Sequence, residues 1–173
     1  LLSTSLGVPF RTPAEGKNIA FTSLWDNYPD SLTIPLTGKA SHAYLLLAGS
    51  TNHMQCHIAN GVIRVHYADG TSEVLELINP DNWCPIEQDF YVDGIAFCLQ
   101  TPRPYRLHFK SGLVSNNLEK DLNITGVYGR PIDGGAGVLL DMLLDPHKEL
   151  KSLTLETLSN DVVIGIMGIT LQK

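Results

Sequence analysis

The sequence predicts an all-β domain in which two antiparallel sheets pack face to face. Three observations predict it. Apolar and polar residues alternate over short, strand-sized runs, and no segment sustains a 3.6-residue rhythm. Gly, Pro, Asn and Asp punctuate those runs at short intervals, as in sandwiches and barrels. Residues 43–48 (AYLLLA) are continuously apolar, as a strand covered on both sides requires. Strands with one oily face and strands with two need a pair of stacked sheets.

Each element follows from local chemistry. Residues 19–25 mix apolar and hydroxyl side chains and read as a strand. Leu32, Ile34 and Leu36 alternate with Thr33 and Pro35, which gives one buried face. Pro35 lacks an N–H, so that strand belongs at a sheet edge or its end is reached there. In residues 62–67, Ile63, Val65 and Tyr67 share one face, with Arg64 and His66 on the other. Asp69-Gly70 and a second strand, Glu73 to Ile78, follow, predicting a hairpin on a type I′ turn with Gly61 and Gly70 as structural glycines. Further strands are predicted at 90–92, 95–99, 105–109, 124–128, 138–143, 153–158 and 162–171. Residues 145–149 suggest one helical turn, with Asp145 as N-cap and Pro146 as its first residue. A second short turn within 113–122 is weakened by Asn116-Asn117. Residues 80–85 and 129–137 form the long irregular loops; the latter reads as a mobile connection or an excursion between sheets.

A chain of 173 residues suits one domain, large enough to bury roughly two thirds of its unfolded surface without covalent staples. A composition of 43% hydrophobic and 17% charged residues argues against disorder. A formal charge of -6 argues against nucleic acid and against an anionic membrane surface as partners. No apolar run approaches the roughly 20 residues of a membrane helix. No basic segment precedes a long apolar one as in a signal peptide. The chain starts at Leu1 without a Met, which suggests a processed or excised piece of a longer protein. Cys56, Cys84 and Cys98 allow at most one disulfide and read as small buried hydrophobes.

Four stretches carry a resemblance. They are PFRTP (9–13), AFTSLWDNYPDSLTIPLTGKASHAYLLLAGSTN (20–52), NGVIRVHYADGTSEVLELINPDNW (60–83) and LDPHKELKSLTLETLSNDVVIGIMGITL (144–171). Together they hold about half of the chain's residues, from near both ends and from the middle, and resemble the galactose-binding-like jelly roll. That module occurs as an accessory domain of large bacterial polysaccharide-degrading enzymes. The similarity is closest to the C-terminal domain of Bacteroides proteins classed as glycosidases of undefined function. The resemblance implies a jelly-roll sandwich, a periplasmic or extracellular setting, and carbohydrate or the catalytic domain of the same polypeptide as partner.

Trp25, Asp26, Asn27 and Tyr28 form the leading candidate for carbohydrate contact. An aromatic face stacks on the C–H face of a sugar while Asp and Asn side chains hydrogen-bond its hydroxyls. The competing reading is plain turn chemistry. Asn82 and Trp83, held between Pro80 and Pro85, are the second candidate. They would serve as a sugar platform, a contact for a neighbouring domain, or ordinary packing. No cofactor is expected. A structural calcium is one candidate ion, with Asp26, Asp30 and the backbone near Gly16 as oxygen donors. His53, Cys56 and His57 have zinc-ligand character but lack the further ligands that zinc needs. Glu87 and Asp89 would point to one side of a strand as a carboxylate pair, although solvated charge is the simpler reading. Asp133, Asp141 and Asp145 show no pattern, and Asn123-Ile124-Thr125 is a glycosylation sequon by pattern alone. Gly134 to Gly137 lacks the Lys and Ser/Thr of a phosphate loop. No nucleophile, base and orienting group stand together. The expectation is therefore a non-catalytic carbohydrate-binding or accessory module. The alternatives are a purely structural docking sandwich and a glycoside hydrolase in its own right.

Overall fold

The computed structural model describes residues 2–3, 6–13, 15–52, 55–89, 99, 101–126 and 130–173. Among them, two antiparallel sheets form a β-sandwich. The larger sheet runs in the order β3 (Ala20–Ser23), β12 (Val162–Gln172), β5 (His42–Thr51), β10 (Ala136–Leu143), β8 (Tyr105–His108) and β9 (Val114–Ser115). The smaller sheet runs β4 (Ser31–Pro35), β11 (Leu150–Thr157), β6 (Ala59–Tyr67) and β7 (Ser72–Ile78). A short pair, β1 (Leu2–Ser3) and β2 (Pro9–Phe10), precedes them, and one helical turn, α1 (Leu118–Asp121), follows β9.

Alternation sends Leu45 and Leu47 of β5, Val138 of β10 and Ile164 of β12 into the space between the sheets. They meet Ile63 and Val65 of β6 and Leu153 and Leu155 of β11 there. Burying each such side chain contributes about 1.5–3 kcal/mol. The continuous apolarity of residues 43–48 has a second cause on the opposite face. Leu46 points outward and packs with Phe10, Leu107 and Val114 in a separate cluster. β5 therefore lies in mid-sheet with both faces covered. β4 pairs on one side only, with β11, and Pro35 ends it at that edge. The hydroxyls of residues 20–23 also have a use: Thr157 donates to Thr22 at 2.8 Å, linking the two sheets inside the core.

Tyr67 closes the inner face of β6. Its buried phenol oxygen accepts the Asp145 N–H at 2.8 Å. Burial pushes this phenol above its ordinary value, more than the Asp145 hydrogen bond lowers it. Stability drawn from keeping Tyr67 neutral is complete below the unfolded-state value of about 10, and is lost as pH rises through the higher folded-state value. Tyr67→Phe is expected to cost about 1 kcal/mol at pH 7 and to blunt the alkaline fall in stability. Urea unfolding at several pH values between neutrality and strong alkali measures both effects.

The hairpin joining β6 and β7 forms as expected, but its turn differs. Of Asp69 and Gly70, only Gly70 is left-handed, at φ 87°. Gly70 N–H bonds to the Tyr67 carbonyl and Tyr67 N–H to the Thr71 carbonyl, a three-residue loop rather than a two-residue type I′ turn. Asp69 keeps an ordinary backbone because its carboxylate accepts the N–H and hydroxyl of Thr71, which also holds its pKa down. Gly61 is structural for a packing reason: a Cβ there would lie 2.4 Å from Ile164 Cδ1. Asn117, expected to weaken a helical turn, instead caps α1 by accepting the Lys120 N–H. Residues 145–148 form a turn in which Asp145 accepts the His147 N–H, with no helix. The strands predicted at 90–92 and 95–98, and residues 127–129, lie outside the described residues; 124–126 is irregular.

Candidate functional site

The chain leaves β3, at one edge of the larger sheet, and crosses to β4, at the edge of the smaller one. Residues 24–30 make that crossing and cap this side of the sandwich. Their backbone is fixed. Ser23 N–H bonds to the Pro29 carbonyl, and Tyr28 N–H to the Trp25 carbonyl, both at 3.0 Å. The Ser23 hydroxyl donates to Val162 O at 2.7 Å and accepts the Trp25 N–H. Thr157 N–H bonds to the Asp30 carbonyl at 2.9 Å. Core strands thus hold the loop at both ends, and its shape is set before any partner arrives.

On this frame Trp25 is 49% exposed and Tyr28 41%. Their ring centres lie 6.2 Å apart, edge to face. Phe21 also lies edge to face with Tyr28, at 6.5 Å, and Leu24 of the same loop is exposed. Asp26, Asn27 and Asp30 are exposed on the same loop. Trp25, Tyr28, Asp26 and Asp30 line a shallow depression of about 300 Å³. The four residues singled out in the sequence therefore share one loop. Phe21 and Leu24 belong to the same patch and were missed, because a strand residue flanking a core position reads as sandwich filling.

Asn82 and Trp83 do not join this patch. Trp83 is fully buried, and its ring offers no face to a sugar or a neighbouring domain. Its indole N–H donates to Asn60 Oδ1 at 2.9 Å, and the Asn60 amide donates in turn to the Gln55 carbonyl at 2.8 Å. The ring lies against Gly49, where a Cβ would sit 2.7 Å from Trp83 Cη2 and 2.0 Å from the Val163 carbonyl oxygen. Asn82 clasps its own turn, accepting the Ile78 N–H and donating to the Glu76 carbonyl, each at 2.8 Å. Ordinary packing, the third of the readings for this pair, describes both residues.

No family model, curated protein or solved structure matches this chain.

The remaining candidates scatter. Glu87 is exposed and accepts a hydrogen bond from the Ser50 hydroxyl. Asp89, expected to be solvated, is buried and paired with Arg130 at 3.1 Å, so the two do not face each other as a carboxylate pair. Asp133 is exposed, and the Lys110 ammonium 2.6 Å away holds its carboxyl below the usual range. His53 and Cys98 lie outside the described residues. Cys84 sits in the main core, and the half-buried Cys56 accepts a contact from the Asn79 amide at 3.2 Å. Among the described residues no three His, Cys, Asp or Glu side chains gather as a metal site requires.

Proposed function

We propose that this chain is a non-catalytic carbohydrate-binding module, a jelly-roll sandwich of the galactose-binding-like kind. In this reading it serves a larger bacterial polysaccharide-degrading enzyme outside the cytoplasm. The half-exposed Trp25–Tyr28 pair on a rigid loop carries the reading, with exposed carboxylate and amide side chains at its border. Aromatic surface of this kind is costly to leave in water, and here it is clustered and presented. A flat ring bordered by acceptors and donors suits a pyranose, whose faces are C–H and whose rim is hydroxyl.

Magnitudes set the expected affinity. Covering about 100 Å² of ring is worth about 2–3 kcal/mol. Each hydrogen bond adds about 1 kcal/mol, against the cost of association. Set against an association cost of about 4 kcal/mol or more, these gains leave a platform weaker than millimolar on its own, useful when a tethered enzyme adds its own grip. A glycan array followed by calorimetry on the positives tests the proposal. The wild-type chain is expected to bind at least one plant or bacterial polysaccharide. Trp25→Ala is expected to weaken that binding beyond detection while changing stability by less than about 1 kcal/mol. Absence of binding to every glycan would point to a docking role for the same patch.

A further inference from the structure

We propose that the outer face of the larger sheet carries a second sugar site, a pocket that takes a single sugar ring. The ligand class rests on the carbohydrate-binding reading above; the location rests on a different part of the fold. The pocket has a volume of about 340 Å³, near the lower end of small-molecule sites.

Its construction starts with the N-terminal segment. Phe10 is buried over Gly168, where a Cβ would come within 3.0 Å of its ring, and the Thr170 hydroxyl donates to the Pro9 carbonyl. That docking raises Leu6, Val8 and Phe10 as one wall. Tyr105 of β8, 41% exposed, contributes to the lining from the other side. Leu139 of β10 lies opposite Tyr105, and Asp141 lies opposite Tyr44 of β5. β10 thus runs between the strands bearing the two tyrosines; those strands stand two spacings, roughly 10 Å, apart, and the tyrosines are offset by two residues along β10.

The polar end is organised by neighbouring strands. Asp141 Oδ1 lies 2.7 Å from His42 Nδ1. The His42 ring stacks on Tyr44 at 5.6 Å and 3°. The Tyr44 hydroxyl donates to Gln172 Oε1 at 2.9 Å. A carboxylate has about four acceptor positions, and His42 uses one.

This arrangement selects among ligands. A wholly apolar molecule would take Asp141 out of water without replacing its hydrogen bonds. An organic cation would want several aromatic faces around it, but His42 already covers one face of Tyr44. A molecule with hydroxyls at one end and C–H surface elsewhere satisfies both parts. The volume holds one sugar ring, so the pocket would read chain ends or free monosaccharides, whereas the open Trp25 loop would read chain faces.

Amide-resolved NMR titration of the wild-type chain with glucose, galactose, mannose, xylose and fucose, each to tens of millimolar, tests this. At least one sugar is expected to shift the amides of Tyr44, Tyr105 and Asp141. Tyr105→Ala and Asp141→Asn, both at exposed positions, are expected to weaken that binding about ten-fold. Trp25→Ala is expected to leave it unchanged. Shifts confined to residues 21–30, no shifts at all, or groove shifts indifferent to both variants would overturn the pocket. Groove shifts in the absence of any glycan response at residues 21–30 would uphold the pocket and remove the loop reading instead.

Discussion

Trp83→Ala is expected to lower the unfolding free energy by about 3–5 kcal/mol. The indole is fully enclosed in the core cluster, so its removal forfeits transfer energy and leaves a cavity that flanking strands cannot close. It also deprives the buried Asn60 oxygen of its indole donor, leaving the Thr51 hydroxyl at 3.3 Å. For a domain of this size the loss corresponds to a melting point lower by roughly 6–20 °C. Trp83→Phe keeps most of the volume and gives up the N–H, so an intermediate loss of about 1–2 kcal/mol is expected. Urea midpoints with an unchanged slope measure these values. Trp25→Ala in the same assay sets the contrast, because a half-exposed loop residue leaves no cavity behind. Equal losses at the two positions would contradict the placement of Trp83.

Asp89→Ala is expected to cost about 3–5 kcal/mol as well, for an electrostatic reason. Asp89 and Arg130 are both almost wholly buried, joined at 3.1 Å. Arg130 Nε also donates to the Asp89 carbonyl at 3.3 Å, and its Nη1 to the Gly126 carbonyl at 3.0 Å. Without the carboxylate, the guanidinium stays in a low-dielectric site. Among the described residues, its remaining acidic partner is Glu119, half-exposed and 3.3 Å away. Replacing both partners tests the mechanism. Asp89→Ala with Arg130→Met is expected to recover much of the loss, since no uncompensated charge remains. If the double variant is as unstable as the sum of the single ones, the pair is not a coupled unit.

How far the sequence reveals this molecule depends on whether an element is set locally or by its neighbours. The strand of residues 43–48 and the hairpin around Gly70 were legible, because period-two alternation and a left-handed glycine act within a few residues. The exact turn was not, since Asp69 is held by Thr71 through its side chain rather than by its own backbone preference. Trp83 looked like Trp25 in sequence, each an aromatic among turn formers. What separates them is distant: Asn60 waits for one indole, while the other lies over a loop at the sandwich edge. His42, Tyr44, Asp141 and Gln172 come from three strands and meet only through register, which no local pattern encodes. The β1–β2 pair is likewise too short to leave a periodic trace.

Trp25 faces solvent, where the proposed function has it meet glycan, and Trp83 is sealed in the core. Fluorine NMR of the chain labelled with 5-fluorotryptophan reads both at once, since the protein has two tryptophans. With a binding oligosaccharide, the expected result is one resonance that moves, responds to solvent exchange and disappears in Trp25→Phe, beside a second that does none of these. Movement of the Trp83 resonance alone, or of neither resonance with any glycan, would contradict the account.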